Sequence, residues 1–142
     1  MNILKETNLP LLNSHVRCPF NDCYECCLDT KMLLTNSDIQ RIENLGYNKN
    51  EFCLNSNETD GFWQLKNIEG RCYFLSKNGK CTIYEHRPIG CKVYPLVFEL
   101  SEEDVIIDED CREPNWFASQ VYEDQQINLV KKTAETLLKE QQ

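Results

Sequence analysis

The sequence has little of what most function classes require. Only five of its 142 residues are Gly, and no Gly-rich loop offers backbone N–H groups to a nucleotide phosphate. Only two are His, at His15 and His86, and no Ser/His/Asp set or Cys–His nucleophile pair is legible. No apolar run approaches the roughly 20 residues that span a bilayer, so no membrane segment is expected. Met1 to Leu11 carries one Lys, one Glu and no sustained apolar stretch, unlike a secretory signal; a cytoplasmic location is expected. Positive charge is scarce: 15 Lys+Arg against 23 Asp+Glu leave a net charge of −8, a surface that repels a nucleic-acid backbone. No repeat, low-complexity tract or Pro/Gly/Ser-rich linker divides the chain, and its length suits one core. A single domain over 1–142 is expected.

What the sequence does have is cysteine, nine in all. The odd count and the adjacent pair Cys26-Cys27 sit poorly with a disulfide framework. Thiols clustered in a chain without an export signal read as metal ligands or redox groups. They fall in two groups. Cys18-x4-Cys23-x2-Cys26-Cys27 supplies four sulfurs within ten residues, and Cys72, Cys81 and Cys91 form the second group, followed by Cys111. Cys53 stands alone between them. Adjacent cysteines ligate one small ion poorly because their Cβ atoms diverge. One of Cys26 and Cys27 therefore serves a second site or a second iron, or is simply a buried small hydrophobe.

A coarse structural reading places these groups on a mixed α+β scaffold. Ser37 with Gln40, or Thr35 with Asp38, fits a capping box, and Ile39, Ile42 and Leu45 share the face of a helix stopped by Gly46. Phe62 to Leu65 alternates as a short strand. Lys77-Asn78-Gly79-Lys80 reads as the tight turn of a hairpin between Cys72–Leu75 and Thr82–Tyr84. A two-residue loop there would pair Ser76 with Cys81 and leave Cys72 and Cys81 about 13 Å apart along the strands. One ion could not then bind both, unless Cys72 precedes the strand proper and bends back. A second hairpin is expected around Ser101–Asp104, flanked by Val93–Leu100 and Val105–Asp108. From Asn115 to Gln142 there is no Gly or Pro, and Ile127, Val130, Ala134 and Leu137 recur at helical spacing. A long C-terminal helix over 115–142 is expected, packed on a metal-binding core over 18–111.

The string from Cys72 through Cys81-Thr-Ile-Tyr-Glu-His-Arg-Pro-Ile-Gly-Cys91 to Pro95, preceded by the Cys18–Cys27 group, resembles the YkgJ-type cysteine-cluster family. That family is described as a zinc- or iron-chelating CxxCxxxxCC domain and includes the flagellin lysine N-methylases. The resemblance covers about Cys18 to Pro95. The chain departs from it in the first group, where the middle cysteine is Cys23 and the family's spacing would place one at Asn21. The resemblance implies metal or iron–sulfur binding and, through the methylase branch, modification of a protein lysine. The chain is short for that branch, and the CxxxCxxC spacing of radical S-adenosylmethionine enzymes is absent.

Zinc knuckles usually come as pairs of CxxC, and only Cys23-x2-Cys26 has that form. Iron–sulfur clusters accept irregular spacings and a shell of aromatic residues, such as Phe20, Tyr73, Phe74 and Tyr84. The reading favoured by the sequence is an iron–sulfur protein with a [4Fe–4S] cluster, held by thiolates drawn from Cys18, Cys23, Cys26, Cys27, Cys72, Cys81, Cys91 and Cys111. Electron transfer to a redox enzyme, or service as a cluster-bearing accessory subunit, would be its role. A zinc-binding interaction module and a lysine N-methyltransferase-like enzyme acting on a substrate protein are the alternatives. His86 and His15 are weaker candidate ligands. Arg87, stiffened by Pro88, would donate to cluster sulfurs or, preferably, anchor an acidic side chain. The acidic residues Glu102–Asp104 and Asp108–Asp110 read as solvated loops.

Overall fold

The computed structural model describes residues 15–20 and 23–141. The expectations for Met1–Leu11, for Asn21 and for the final Gln142 lie outside the described residues.

Thr35 opens the first helix. Its side chain accepts the Asp38 N–H at 3.0 Å, while Asp38 Oδ2 accepts the Thr35 N–H at 3.1 Å. This reciprocal pair satisfies two orphan donors and starts α1 at Asn36–Glu43. Of the two capping registers legible in the sequence, the Thr35–Asp38 one forms. Ile39 and Ile42 are buried on the inner face and Gly46 takes a φ of 105°, whereas Leu45 lies beyond the last turn and is exposed. The short helix α2, Lys49–Phe52, follows. Strand β1 (Leu33–Leu34), β2 (Cys53–Leu54) and β3 (Trp63–Leu65) make an antiparallel sheet with β3 in the middle. The expected strand at Phe62–Leu65 is thus the centre of a three-stranded sheet.

The expected hairpin across Asn78-Gly79 is only rudimentary. Its one bridge joins Leu75 to Cys81, and Ser76 N–H reaches Lys80 O at 2.8 Å, one position away from the Ser76–Cys81 pairing expected. Only Gly79 takes a positive φ, 81°, so the loop is wider than a two-residue turn. Cys72 pairs elsewhere: β4 (Asn67–Ile68) and β5 (Arg71–Cys72) form their own antiparallel ribbon. The chain bends at once after Cys72, with the Leu75 N–H on Cys72 O. The spacing argument that separated Cys72 from Cys81 therefore does not apply.

Helix α3 spans Ile89–Val93, so the next strand, β6, begins only at Leu96 and runs to Glu99. It pairs with β7 (Asp104–Ile107) around the expected acidic turn. The expected continuous helix from 115 is two. Pro114 starts α4, Pro114–Ala118, and α5 spans Asp124–Glu140. No Gly or Pro marks the break; side chains do. Ser119 Oγ donates to Trp116 O, Tyr122 Oη donates to Phe117 O, and Glu123 with Gln126 forms a new capping box.

Two hydrophobic clusters result. The first gathers Leu34, Ile39, Ile42, Phe52, Leu65 and Phe74 around the three-stranded sheet. The second packs Val16, Val93, Leu96, Phe117 and Val130 between the β6–β7 hairpin and the last helices. Phe52 and Phe74 are at most 2% exposed, and burying each contributes about 2–3 kcal/mol. Helix α5 is fastened at both ends. Gln126 Nε2 donates to His15 O at 3.0 Å, and Glu140 Oε1 accepts the Asn36 N–H at 2.8 Å. Among the described residues no helix is long and apolar enough to cross a membrane.

Candidate metal centre

All nine cysteines are free thiols, and the fold sorts them. Cys53 is 2% exposed inside the first cluster, and its Sγ donates to Lys49 O at 3.1 Å. Burial pushes its thiol up to about 11. It is a core residue, distinct from the other eight.

Cys26 and Cys27 lie on a single 3₁₀ turn, Glu25–Cys27. At three residues per turn, consecutive side chains point about 120° apart. Cys27 packs against the first cluster while Cys26 is exposed. Three contacts fix this turn beside β5. Leu28 bridges Arg71, Asp29 N–H reaches Gly70 O at 2.7 Å, and Thr30 and Asn67 exchange two hydrogen bonds at 3.0 and 2.9 Å. Because the Leu28–Arg71 bridge is antiparallel, Cys27 stands opposite Cys72. The Ser76–Gly79 loop presses on the other side of the turn: a Cβ on Gly79 would meet the Tyr24 ring at 2.9 Å.

Cys91 is delivered by a buried hub around Asp38, which is wholly inaccessible to solvent. Asp38 Oδ1 accepts from Arg41 Nη2 at 2.8 Å and from the Ile89 N–H at 3.1 Å. Arg41 Nη2 also donates to Arg87 O at 2.8 Å. The Arg-Pro-Ile-Gly segment before Cys91 is thereby held against α1. The sequence reading missed this hub; its signal was a carboxylate in the capping box with an Arg three residues on. Arg87 itself anchors no acidic side chain among the described residues, contrary to the expectation. Its Nε donates to Tyr84 O at 2.8 Å, its Nη1 to Cys91 O at 3.3 Å, and its guanidinium lies 3.9 Å from the Tyr84 ring centroid.

The sulfurs have a recurring partner. At Cys18, Cys72, Cys81 and Cys111 the backbone N–H two residues on, of Phe20, Phe74, Ile83 and Glu113, works to lower the thiol pKa. These donors favour a thiolate at each sulfur. Residues 73–75 and 82–84 form no strand: Leu75 N–H closes on Cys72 O and His86 N–H on Ile83 O, so both segments turn. Burial works against ionisation and holds all four thiols above their ordinary value; it holds Cys91 well above it. The Cys27 thiol donates to Cys26, which brings Cys26 down to about 7 and pushes Cys27 up. The Arg87 charge lowers Cys26, Cys81 and Cys91.

His15 sits near Lys92, Arg87 and Arg17; burial and those charges lower its pKa, and its Nε2 is buried without a hydrogen-bond partner. His86 ends the exposed 3₁₀ turn Tyr84–His86. A cavity of about 370 Å³ opens beside Cys26, with Met32, Tyr94, Leu96, Phe98 and Leu137 in its wall.

Among the described residues no three Cys, His, Asp or Glu side chains are arranged, as they stand, to hold a metal ion. The donor chemistry fits one nonetheless. Eight thiols, four of them favoured as thiolates by the backbone two residues on, and a nearby guanidinium suit a soft metal or an iron–sulfur cluster, and a cysteine sulfur moves by turning a single side-chain bond. Ligation would draw the sulfurs together and release their protons.

A family model designated CxxCxxCC and described as "Putative zinc- or iron-chelating domain" matches residues 17–133. No curated protein and no solved structure matches the chain.

Proposed function

Since the chain belongs to the CxxCxxCC family, whose match takes in all eight clustered cysteines, we propose that it binds iron as an iron–sulfur cluster. The observation that carries this reading is the family match over all eight clustered cysteines, none of them in a disulfide; at Cys18, Cys72, Cys81 and Cys111 the backbone N–H two residues on also favours the thiolate. Thiols that only filled a core, as Cys53 does, would have no use for such donors. Four thiolates on a divalent ion or cluster core leave a net charge of about −2, which N–H dipoles and the Arg87 guanidinium offset.

Iron–sulfur clusters accept all-thiolate sets with irregular spacing, as in Cys72-x8-Cys81-x9-Cys91. Phe74, Leu75 and Ile83 supply the apolar shell beside Cys72 and Cys81. A [4Fe–4S] cluster held there would supply one-electron transfer. The chain's own residues would set its potential through burial, the N–H donors and Arg87. The protein would then act as an electron carrier or cluster-bearing subunit for a redox enzyme. The CxxC knuckle Cys23-x2-Cys26 favours one second reading, a zinc module in which the metal stabilises the fold.

Protein purified without oxygen, assayed for iron, acid-labile sulfide and zinc and examined by visible absorption, tests the reading. Iron with matching sulfide and a broad visible band is the expected result. Zinc without sulfide overturns the redox role.

A further inference from the structure

The cavity of about 370 Å³ beside Cys26 exists because two apolar stripes run on past the core that buries their beginnings. On α5, Val130 is buried in the second hydrophobic cluster. Ala134 and Leu137, one and two turns further along the same face, are only half-buried, and Leu138 is 45% exposed. On β6, Leu96 is buried and Phe98 half-buried, while Leu100, just past the strand, is 60% exposed. All these side chains line the cavity, and Met32 and Phe62, next to the starts of β1 and β3, add to its apolar wall. The volume lies in the range of binding clefts, about 300–1,000 Å³. The hydroxyls of Thr133 and Tyr94 in the lining are already spent: Thr133 Oγ1 donates to Leu129 O and Tyr94 Oη to Asp108 Oδ2. What remains for an incoming group is charge, and it is mostly of one sign. Glu25, Asp29, Asp108 and Asp110 line the cavity against the one ammonium of Lys31. Among the described residues none of these four carboxylates forms an ion pair; the one salt bridge joins Arg41 to Asp38.

We propose that this cavity is the docking site for a segment of a partner protein whose apolar side chains are flanked by Lys or Arg. Leu100 and Leu138 carry the apolar lining out to the surface, where a polypeptide covers them and a small enclosed ligand would not. The carboxylates meet the flanking cations, and the chain's net charge of −8 steers such a segment inward. A helix with apolar residues on one face and basic ones beside them has the complementary pattern. Cys26 is exposed and belongs to the same lining, so the docked segment sits against a thiol of the candidate metal centre. The contacts are hydrocarbon and carboxylate, so docking itself calls for no metal. That the partner exchanges electrons or metal through Cys26 rests on the metal-thiolate reading above.

The probe is a synthetic helical peptide with leucines along one face and lysines beside them, labelled for fluorescence anisotropy and titrated with the full-length protein. Binding is expected, weakening about three- to ten-fold from low to high salt. The same peptide with Glu in place of each Lys should not bind. Leu100→Glu with Leu138→Glu should weaken binding about ten-fold or more. Both positions are exposed, so thermal unfolding should be unchanged. Because these substitutions add negative charge, an association driven by charge alone would tighten, and that result overturns the proposal. Asp29→Asn with Asp110→Asn should weaken binding and flatten its salt dependence. After chelation of any metal, bound peptide should also slow alkylation of Cys26, read by mass spectrometry. Equal binding of the acidic peptide, or Cys26 alkylated at an unchanged rate, overturns the site. A dimer that Leu100→Glu dissociates overturns it in favour of a second copy of this chain. Displacement of an apolar dye by a fatty acid, with no peptide bound, overturns it in favour of a small apolar ligand. Metal content separates the two readings. Peptide binding by protein that holds neither iron nor zinc leaves the docking site standing and overturns the metal-thiolate reading, and loaded protein that binds no peptide does the reverse.

Discussion

Asp38 and Ile89, 51 residues apart, are joined by a buried hydrogen bond: the carboxylate Oδ1 accepts the Ile89 N–H at 3.1 Å. The same oxygen accepts from Arg41, so one inaccessible carboxylate couples the first helix to the turn that presents Cys91. Asp38→Ala leaves the Ile89 N–H and the Thr35 N–H without an acceptor and Arg41 without its counter-charge. A loss of about 2–3 kcal/mol in denaturant stability is expected. Asp38→Asn, which keeps some of these bonds, should lose less.

Arg87 offers a test of charge against scaffold. Its guanidinium favours the ionised forms of Cys26, Cys81 and Cys91, which metal uptake requires. In Arg87→Gln these thiols hold their protons more tightly, so apparent metal affinity at pH 7 should fall about ten-fold and the uptake curve should move to higher pH. Arg87→Lys keeps the charge but not the paired bonds to Tyr84 O and Cys91 O. It should recover the pH dependence and not the full stability.

Cys53 should be silent in metal assays: Cys53→Ala is expected to bind the same metal as the parent at a cost of about 1 kcal/mol of stability. Its thiol also predicts a pH effect in the metal-free protein. The folded state keeps the proton up to about 11, whereas the unfolded thiol gives it up near its ordinary value of 9.0. The unfolded state then binds fewer protons, so stability is present below that ordinary value and is lost as pH rises through about 11. Urea midpoints across that window should fall less steeply in Cys53→Ala than in the parent.

Gly79→Ala strains a position whose φ is 81° and drives a Cβ into the Tyr24 ring, whose chain leads directly to Cys26. Destabilisation by more than about 1 kcal/mol is expected, with weaker metal binding alongside it. Lys77→Ala, on the same loop, should change neither.

Features governed by local chemistry were readable in the sequence. The capping box at Thr35, the strand through Trp63 and Leu65 and the hairpin around Glu102 all follow from near neighbours. The reading failed where a side chain diverted the backbone from its usual partner. Leu75 N–H closes a turn on Cys72 O and His86 N–H one on Ile83 O, so a strong Asn-Gly signal yields one bridge and not a ladder. Tyr122 and Ser119 take the carbonyls that would have continued the helix begun at Pro114. Only the near half of the Asp38 hub, Thr35 and Arg41, left a trace in the sequence; Ile89, its far partner, lies 51 residues away. Which hydrophobic cluster a cysteine meets, the first for Cys27 and the second for Cys111, is likewise not encoded by spacing alone.

The two clasps of helix α5, at His15 and at Asn36, bracket the stretch that carries Cys18, Cys23, Cys26 and Cys27. They join partners 111 and 104 residues apart. During synthesis at roughly 5–20 residues per second, those four thiols emerge some 5–20 s before the helix that fixes their span. Through that interval the Cys26–Cys27 turn already has its partners at 67–71, while the stretch as a whole still lacks the two clasps of the helix. A metal delivered before the helix docks meets the four thiols without those clasps, and one delivered afterwards meets them with both ends of their stretch tied down. Correct loading is therefore a matter of timing as well as of affinity.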